Sequence, residues 1–231
     1  MVHRPAGPWS ATVQRLLGHL AEAGFTGAPG PRGLTGDQEL VEYLPGEAGT
    51  DLAAPWLYED EVLVAAARLL RGLHDAGASF VRSEQDVWLL PPREPAEVIC
   101  HGDAATYNTV FRDGLPVAFI DFDTAHPGPR LWDAAYTAYR FVPLYESGGV
   151  PVAQARRRLA LFAEAYGLSE QEAARLPEAV AERLHALVAF MREQAAAGHP
   201  AFAAHLARGD DRKYLADVHW VLSELSELSS P

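Results

Sequence analysis

Two short apolar runs, Thr109–Arg112 and Leu115–Ile120, flank Asp113-Gly114, a dipeptide suited to a two-residue hairpin turn. A hairpin makes its strands antiparallel and sets which residues face one another, so this feature constrains the fold more than any other in the chain. With the turn centred on Asp113-Gly114, Asn108 is predicted to lie opposite Phe119. Side-chain alternation then puts Asp121 on the same face, one step further along. A third buried-type strand, Val98-Ile99-Cys100, precedes the hairpin, and the polar stretch His101-Gly102-Asp103-Ala104-Ala105-Thr106-Tyr107-Asn108 joins the two. Asn108 and Asp121 should therefore converge at the open end of the hairpin, where the loop carrying Asp103 begins. Two carboxylates and an amide oxygen around one point suit a hard divalent cation such as magnesium, completed by water and phosphate oxygens. Taken singly, Asp103 and Asn108 also read as loop caps and Asp121 as a strand-end turn residue, because Asp and Asn dominate turns for local hydrogen-bonding reasons.

Helical periods surround this centre. Residues 8–24 carry Val13, Leu16, Leu17 and Leu20 on one stripe, with Ser10 as cap and Gly24 as stop. A Gly/Pro-rich loop from Gly27 to Gly36 leads to a predicted strand, Glu39–Leu44, broken by Pro45-Gly46, where a boundary between two lobes, 1–45 and 46–231, is placed. Residues 59–76 make an amphipathic helix that stops at Gly77. From Leu131 onward helices are predicted at 131–140, 152–166, 170–197, 200–208 and 211–228, with Ser169-x-x-Glu172 spaced as a capping box. Trp132, Tyr136, Tyr139, Phe141 and Tyr145 fall mostly at helical spacing and are assigned to core packing rather than to a ligand cage.

Charge and composition exclude some functions. Nineteen Lys plus Arg against 31 Asp plus Glu give a net charge of −12, a field that repels phosphate backbones, so no nucleic-acid partner is expected. Cys100 is the single cysteine, which rules out an intramolecular disulfide or a cysteine-based zinc cluster. Met1-Val2-His3-Arg4-Pro5 lacks the apolar segment of a secretory signal, and no apolar run nears the ~20 residues that cross a bilayer. A cytoplasmic protein with no membrane partner is the expectation.

The spacing H-G-D-x-x-x-x-N at 101–108, followed by a hairpin and Ile120-Asp121-Phe122-Asp123, resembles the catalytic segment of the aminoglycoside phosphotransferase family, which shares the protein-kinase-like α/β (α+β) fold. Ala125-His126-Pro127-Gly128-Pro129-Arg130-Leu131-Trp132-Asp133 is similar to the stretch that follows in that family, and Glu39–Glu47 resembles its inter-lobe hinge. The resemblance implies an ATP- and magnesium-dependent transfer of the γ-phosphoryl group to a hydroxyl of a small molecule. Under it Asp103 is the catalytic base, Asn108 and Asp121 hold magnesium, and His101 braces the loop. Asp123 either reaches a second metal or is solvated, and Asp133 accepts hydrogen bonds from the loop backbone. Val2-His3-Arg4-Pro5 resembles the end of the strand that carries the family's phosphate-binding lysine. Arg4 is then the substitute cation, because the only lysine, Lys213, comes too late, and a solvated terminal arginine is the alternative. Glu42 and Leu44, in the hinge-like segment, are the other nucleotide contacts implied. Gly27-x-x-Gly30-x-x-Gly33 has the wrong place and spacing for the family's phosphate-covering loop, so the chain reads as a member lacking its first two strands.

Two other readings stay open. Val117–Thr124 also fits an apolar strand ending in D-x-D-x-T, as in haloacid-dehalogenase-type phosphatases, although the expected lysine before a late acidic motif is missing. A kinase-like protein that binds a ligand without transferring phosphate is the other. An acidic cleft would favour a polycationic amino sugar as acceptor; Glu164, Asp210 and Asp211 are either its lining or plain helix-surface charge.

Overall fold

The computed structural model describes residues 1–51, 54–147 and 149–226. Strand β1 (Val2–Pro5) and helix α1 (Ser10–Glu22) open the chain, followed by β2 (Pro31–Thr35), β3 (Gln38–Val41) and the short β4 (Glu47–Ala48). Helix α2 (Asp60–Gly77) leads to β5 (Val98–Cys100), the hairpin β6 (Thr109–Arg112) and β7 (Leu115–Phe119), and β8 (His126–Gly128). Six further helices follow among the described residues: α3 (Arg130–Phe141), α4 (Val152–Tyr166), α5 (Glu170–Ala174), α6 (Leu176–Ala196), α7 (Pro200–Ala207) and α8 (Asp210–Glu224). The mixed α/β character and helix-rich second part agree with the fold class read from the sequence.

Three small antiparallel sheets lie along the helices: β1-β3-β2, β4-β6-β7 and β5-β8. In the first, Arg4 is the cross-strand partner of Glu39, which puts both side chains on one face. The predicted strand Glu39–Leu44 is shorter, ending at Val41, and β2 forms inside what reads as a Gly/Pro loop. Backbone pairing with β3 makes that strand, with a register shift between Pro31 and Gly33, so its own residues carry little strand signal. β8 is likewise too short for any periodicity to mark it.

The helices bury their predicted stripes. Leu16, Leu17 and Leu20 of α1, Leu63, Leu70 and Leu73 of α2, Phe162 of α4 and Leu184 of α6 are inaccessible to solvent within one core that also takes in Phe119 of the hairpin. Ser10 is not the cap of α1: Trp9 holds that position, and the Ser10 hydroxyl accepts from the Gly7 amide instead. The predicted helix 170–197 is two helices. Pro177 has no amide hydrogen to give back to the preceding turn and its ring clashes there, so it sits in the first turn of α6 after a break at Arg175. The Ser169–Glu172 capping box is present, with both reciprocal bonds formed. Residues 227 and 228 of the last predicted helix lie outside the described residues.

The hairpin register corrects the sequence expectation. Arg112 faces Leu115 and Phe111 faces Pro116, as a two-residue turn requires, but beyond them Val110 faces Ala118 and Thr109 faces Phe119. Pro116 cannot donate to the ladder, and the extra residue, Val117, is accommodated as a bulge. Asn108 therefore lies opposite Ile120, whose amide donates to the Asn108 carbonyl at 2.9 Å, and not opposite Phe119.

Candidate active site

The loop after β5 is held from behind by one buried carboxylate. Asp133, in the first turn of α3, accepts from the amides of His101 at 2.6 Å and Gly102 at 2.9 Å, and its Oδ2 lies 3.0 Å from His74 Nε2. Burial alone would push the Asp133 carboxyl up, but the hydrogen bond and charge of His74 and the Gly102 amide outweigh it and hold the group well below the usual carboxylate range. Gly102 takes φ +83°, and a Cβ there would stand 2.4 Å from the Thr124 carbonyl oxygen, so only glycine lets the loop pass. His101 is buried; its Nδ1 accepts from the Asp103 amide at 3.3 Å and its Nε2 donates to the Ile120 carbonyl at 3.1 Å, which ties the loop to the end of the hairpin. It has no free nitrogen for chemistry.

Asp103 is thereby presented at the front. Its Oδ1 accepts from the Tyr107 hydroxyl at 2.7 Å and its Oδ2 from Asn108 Nδ2 at 2.9 Å. Burial pushes its carboxyl above the ordinary Asp value, against the opposing effect of the Tyr107 hydrogen bond. A carboxylate with a raised proton affinity is a better acceptor for a hydroxyl proton near neutral pH. Because Asn108 spends its amide nitrogen on Asp103, its amide oxygen is left for a cation.

Asp103 and Asn108 form the wall between two cavities. Asp103 lines one of about 410 Å³, together with Tyr107, Trp132, Tyr136 and Arg183. Asn108 and Asp121 line the other, of about 340 Å³, with Arg4, Glu39, Glu42 and Leu44. The structure thus brings Asn108 and Asp121 together despite the slipped register. By strand alternation alone the slip would turn Asp121 away, but Asp121 adopts φ +63°, leaves the strand, and is swung back.

Arg4 sits among three carboxylates: Nε lies 3.0 Å from Glu39 Oε2, Nη1 lies 3.0 Å from Asp121 Oδ1, and Nη2 meets Asp123. It is not a solvated terminal residue. Glu39, fully buried, also accepts from Gln14 Nε2 at 2.8 Å. Glu42 accepts from the Gly30 amide at 3.1 Å, and Asp123 has Arg4 as its partner rather than solvent alone. Asn108 and Asp121 supply only oxygen donors, a set that fits magnesium in chemistry and leaves most of the shell to phosphate and water. Among the described residues no group of three His, Cys, Asp or Glu side chains converges as a self-sufficient metal site.

Several residues of this site escaped the sequence reading. Glu39, His74 and Arg183, whose Nη2 donates to the Gly102 carbonyl at 2.6 Å, sit on apolar helical or strand stripes and look there like interruptions. A buried charge on such a stripe is the available signal, because it must find a partner. Trp132 lines the Asp103 cavity, which corrects its assignment to core packing; Tyr136, Tyr139 and Phe141 are core, and Tyr136 also lines that cavity. The acidic cleft is also corrected. Asp210 is paired with His205, Arg208 and Lys213, Asp211 with Arg192, Glu164 is exposed on α4, and none of the three lines the cavity. Asp121 closes an antiparallel hairpin and no parallel strand pair occurs among the described residues, which removes the dehalogenase-type reading.

A small antiparallel sheet before a catalytic-type loop, a hairpin and a helical remainder define a kinase-like fold, and the comparisons agree. The phosphotransferase enzyme family matches residues 80–168. Over 185 residues the chain is 32% identical to the trifolitoxin immunity protein of Rhizobium leguminosarum bv. trifolii, covering 74% of this chain and 69% of that one. The chain belongs to the aminoglycoside phosphotransferase-type enzyme family. Its fold is similar to that of a choline/ethanolamine kinase family protein from Mesorhizobium loti, with a TM-score of 0.65 and 16% identity over 97% of this chain and 86% of that one. It is also similar to an amicoumacin kinase solved with AMP-PNP, Ca2+ and Ami, with a TM-score of 0.65 and 14% identity over 94% of this chain and 80% of that one. No helix among the described residues is long and apolar enough to cross a membrane.

Proposed function

We propose that this protein transfers the γ-phosphoryl group of ATP to a hydroxyl of a small molecule. The carrying observation is the Asp103–Asn108 hydrogen bond between two cavities: it couples a half-buried carboxylate facing one of them to an amide facing the other. The nucleotide occupies the cavity of Asn108 and Asp121, its base against Val41 and Leu44 and its hinge edge near Glu42. The acceptor lies beside Asp103, which takes the hydroxyl proton as the acceptor oxygen bonds to the γ-phosphorus. The bond from that phosphorus to the β-γ bridging oxygen breaks, and ADP leaves with the electron pair. Asn108 and Asp121 would hold magnesium, which supplies neutralisation of phosphate charge. Arg4 adds a fixed cation on the same side, steadied by Glu39. Residues 1–45 cover the nucleotide, and 46–231 carry the acceptor site. The likeness to an immunity protein supports a toxic compound as acceptor, so that phosphorylation protects the cell.

A second reading, a binding protein without transfer, is favoured by one observation: Arg4 already neutralises Asp121 and Asp123. Calorimetry and turnover together separate the two. Magnesium-dependent ATP binding that weakens sharply in Asp121→Ala, with ADP formed in the presence of a hydroxylated acceptor, supports the transferase; no binding of millimolar ATP by the parent chain, or binding without transfer to any acceptor, refutes it.

A further inference from the structure

The cavity beside Asp103 is aromatic and apolar, with Leu90, Trp132, Leu187, Phe190 and Phe202 in its wall. Its acids are Asp103 and Glu193 and its arginines Arg93 and Arg183, so the lining is balanced in a chain whose net charge is −12. Both guanidiniums lie against one indole: Arg93 stands 3.6 Å and Arg183 5.3 Å from the Trp132 ring centroid, and Arg183 also lies 4.5 Å from that of Tyr136. Among the described residues neither Arg93 nor Arg183 is ion-paired to a carboxylate; of the other buried arginines, Arg158 pairs with Asp60 and Arg140 lies among tyrosine rings. Arg183 is almost fully buried. Two like charges packed on one ring repel, and burial together with Arg183 pulls the Arg93 pKa below its ordinary value. An anion placed between them would relieve that repulsion, whereas an ammonium group would add to it. The Arg183 bond to the Gly102 carbonyl puts this positive pair one residue from the base.

We propose that the acceptor is an amphipathic hydroxy acid: its hydroxyl meets Asp103, its carboxylate meets Arg93 and Arg183, and its ring or hydrocarbon body fills the aromatic wall. The hydroxyl assignment rests on the phosphotransfer reading above; the carboxylate and body rest on the cavity alone. In the transfer step the hydroxyl oxygen gains the phosphoryl group of ATP, its proton passes to Asp103, and the carboxylate stays ion-paired and unreacted. A polycationic amino sugar is the wrong complement for this lining.

The test measures binding without nucleotide, by calorimetry and tryptophan fluorescence, for N-benzoylserine, its carboxamide and gentamicin. The acid is expected to bind about tenfold more tightly than the amide, and that preference to collapse in both Arg93→Gln and Arg183→Gln. Arg183 braces the loop, and its variant can unfold for that reason; half-buried Arg93 supplies the variant that keeps the comparison decisive. The inference is overturned if the amide binds as well as the acid, if the preference survives Arg93→Gln, if gentamicin displaces the acid, or if the acid does not bind at about 10 mM. ATP binding is measured in parallel on the same chain. Hydroxy-acid binding without any ATP binding refutes phosphotransfer and leaves the ligand class standing. Phosphorylation of gentamicin in preference to the acid refutes the ligand class and leaves phosphotransfer standing.

Discussion

Replacing Asp133 by asparagine tests whether one buried carboxylate holds the loop of residues 101–108. The side chain is fully buried and accepts from two loop amides, at 2.6 and 2.9 Å, and from His74 at 3.0 Å. Asparagine keeps the shape but loses the charge, and its amide nitrogen must point a donor at a donor. One or two buried N–H groups lose their acceptor at about 1–3 kcal/mol each, and with the lost charge-assisted strength the cost is about 3–5 kcal/mol. That is a large part of the ~5–15 kcal/mol that stabilises most domains, and it should lower the urea midpoint by about 1 M or more. The pH dependence checks the cause. The folded pKa of Asp133 is depressed, so its stabilisation is complete above the unfolded carboxylate value of about 3.9 and is lost as pH falls from there toward the folded value. Urea unfolding of parent and variant should show a constant gap from pH 7 down to about pH 5, narrowing below about pH 4. A variant within ~0.5 kcal/mol of the parent at pH 7, or a gap that persists unchanged in acid, would refute the argument.

Asp103→Asn is expected to abolish phosphoryl transfer while ATP affinity changes little, measured as turnover against calorimetric binding; equal loss of both would point to a structural role. In the parent, kcat/KM should fall in acid with a midpoint above the ordinary Asp value, because burial raises the pKa of a base that works deprotonated. Gly102→Ala forces a Cβ onto the Thr124 carbonyl at positive φ and should cost about 2–4 kcal/mol by urea denaturation, whereas Gly114→Ala, at a similar φ in open space, should cost less. Arg4→Ala leaves buried Glu39 without its cation and should destabilise the chain by about 3 kcal/mol or more, read as a drop in Tm; an unchanged Tm would show that Gln14 and Ser10 satisfy Glu39.

Much of the architecture was legible along the chain because its signals are local. The stripe of α2, the capping box at Ser169 and the Asp113-Gly114 turn each depend on residues a few positions apart, and each forms. β8 was not legible, since its hydrogen bonds come from β5, distant in sequence, and β2 was hidden because its Gly/Pro-bearing residues break register against the adjacent β3 and carry no strand period. The break before α6 could have been read: Pro177 forbids an uninterrupted helix. In the site, Asp103, Asn108 and Asp121 stood out as a spaced polar set, whereas Glu39, His74 and Arg183 were hidden on apolar stripes.

The sequence by itself determined the order of elements, the hairpin and the polar loop it frames, because period, turn chemistry and spacing act over short range. Only the tertiary structure decided how the loop is held and what it faces. The Val117 bulge and the positive φ of Asp121 offset one another, so side-chain alternation alone could not aim that carboxylate. The aromatic, arginine-bearing cavity draws on the segment near Arg93, on α3, on α6 and on the last two helices, α7 and α8. Those segments meet only through helix packing, and their juxtaposition leaves no periodic mark in the chain.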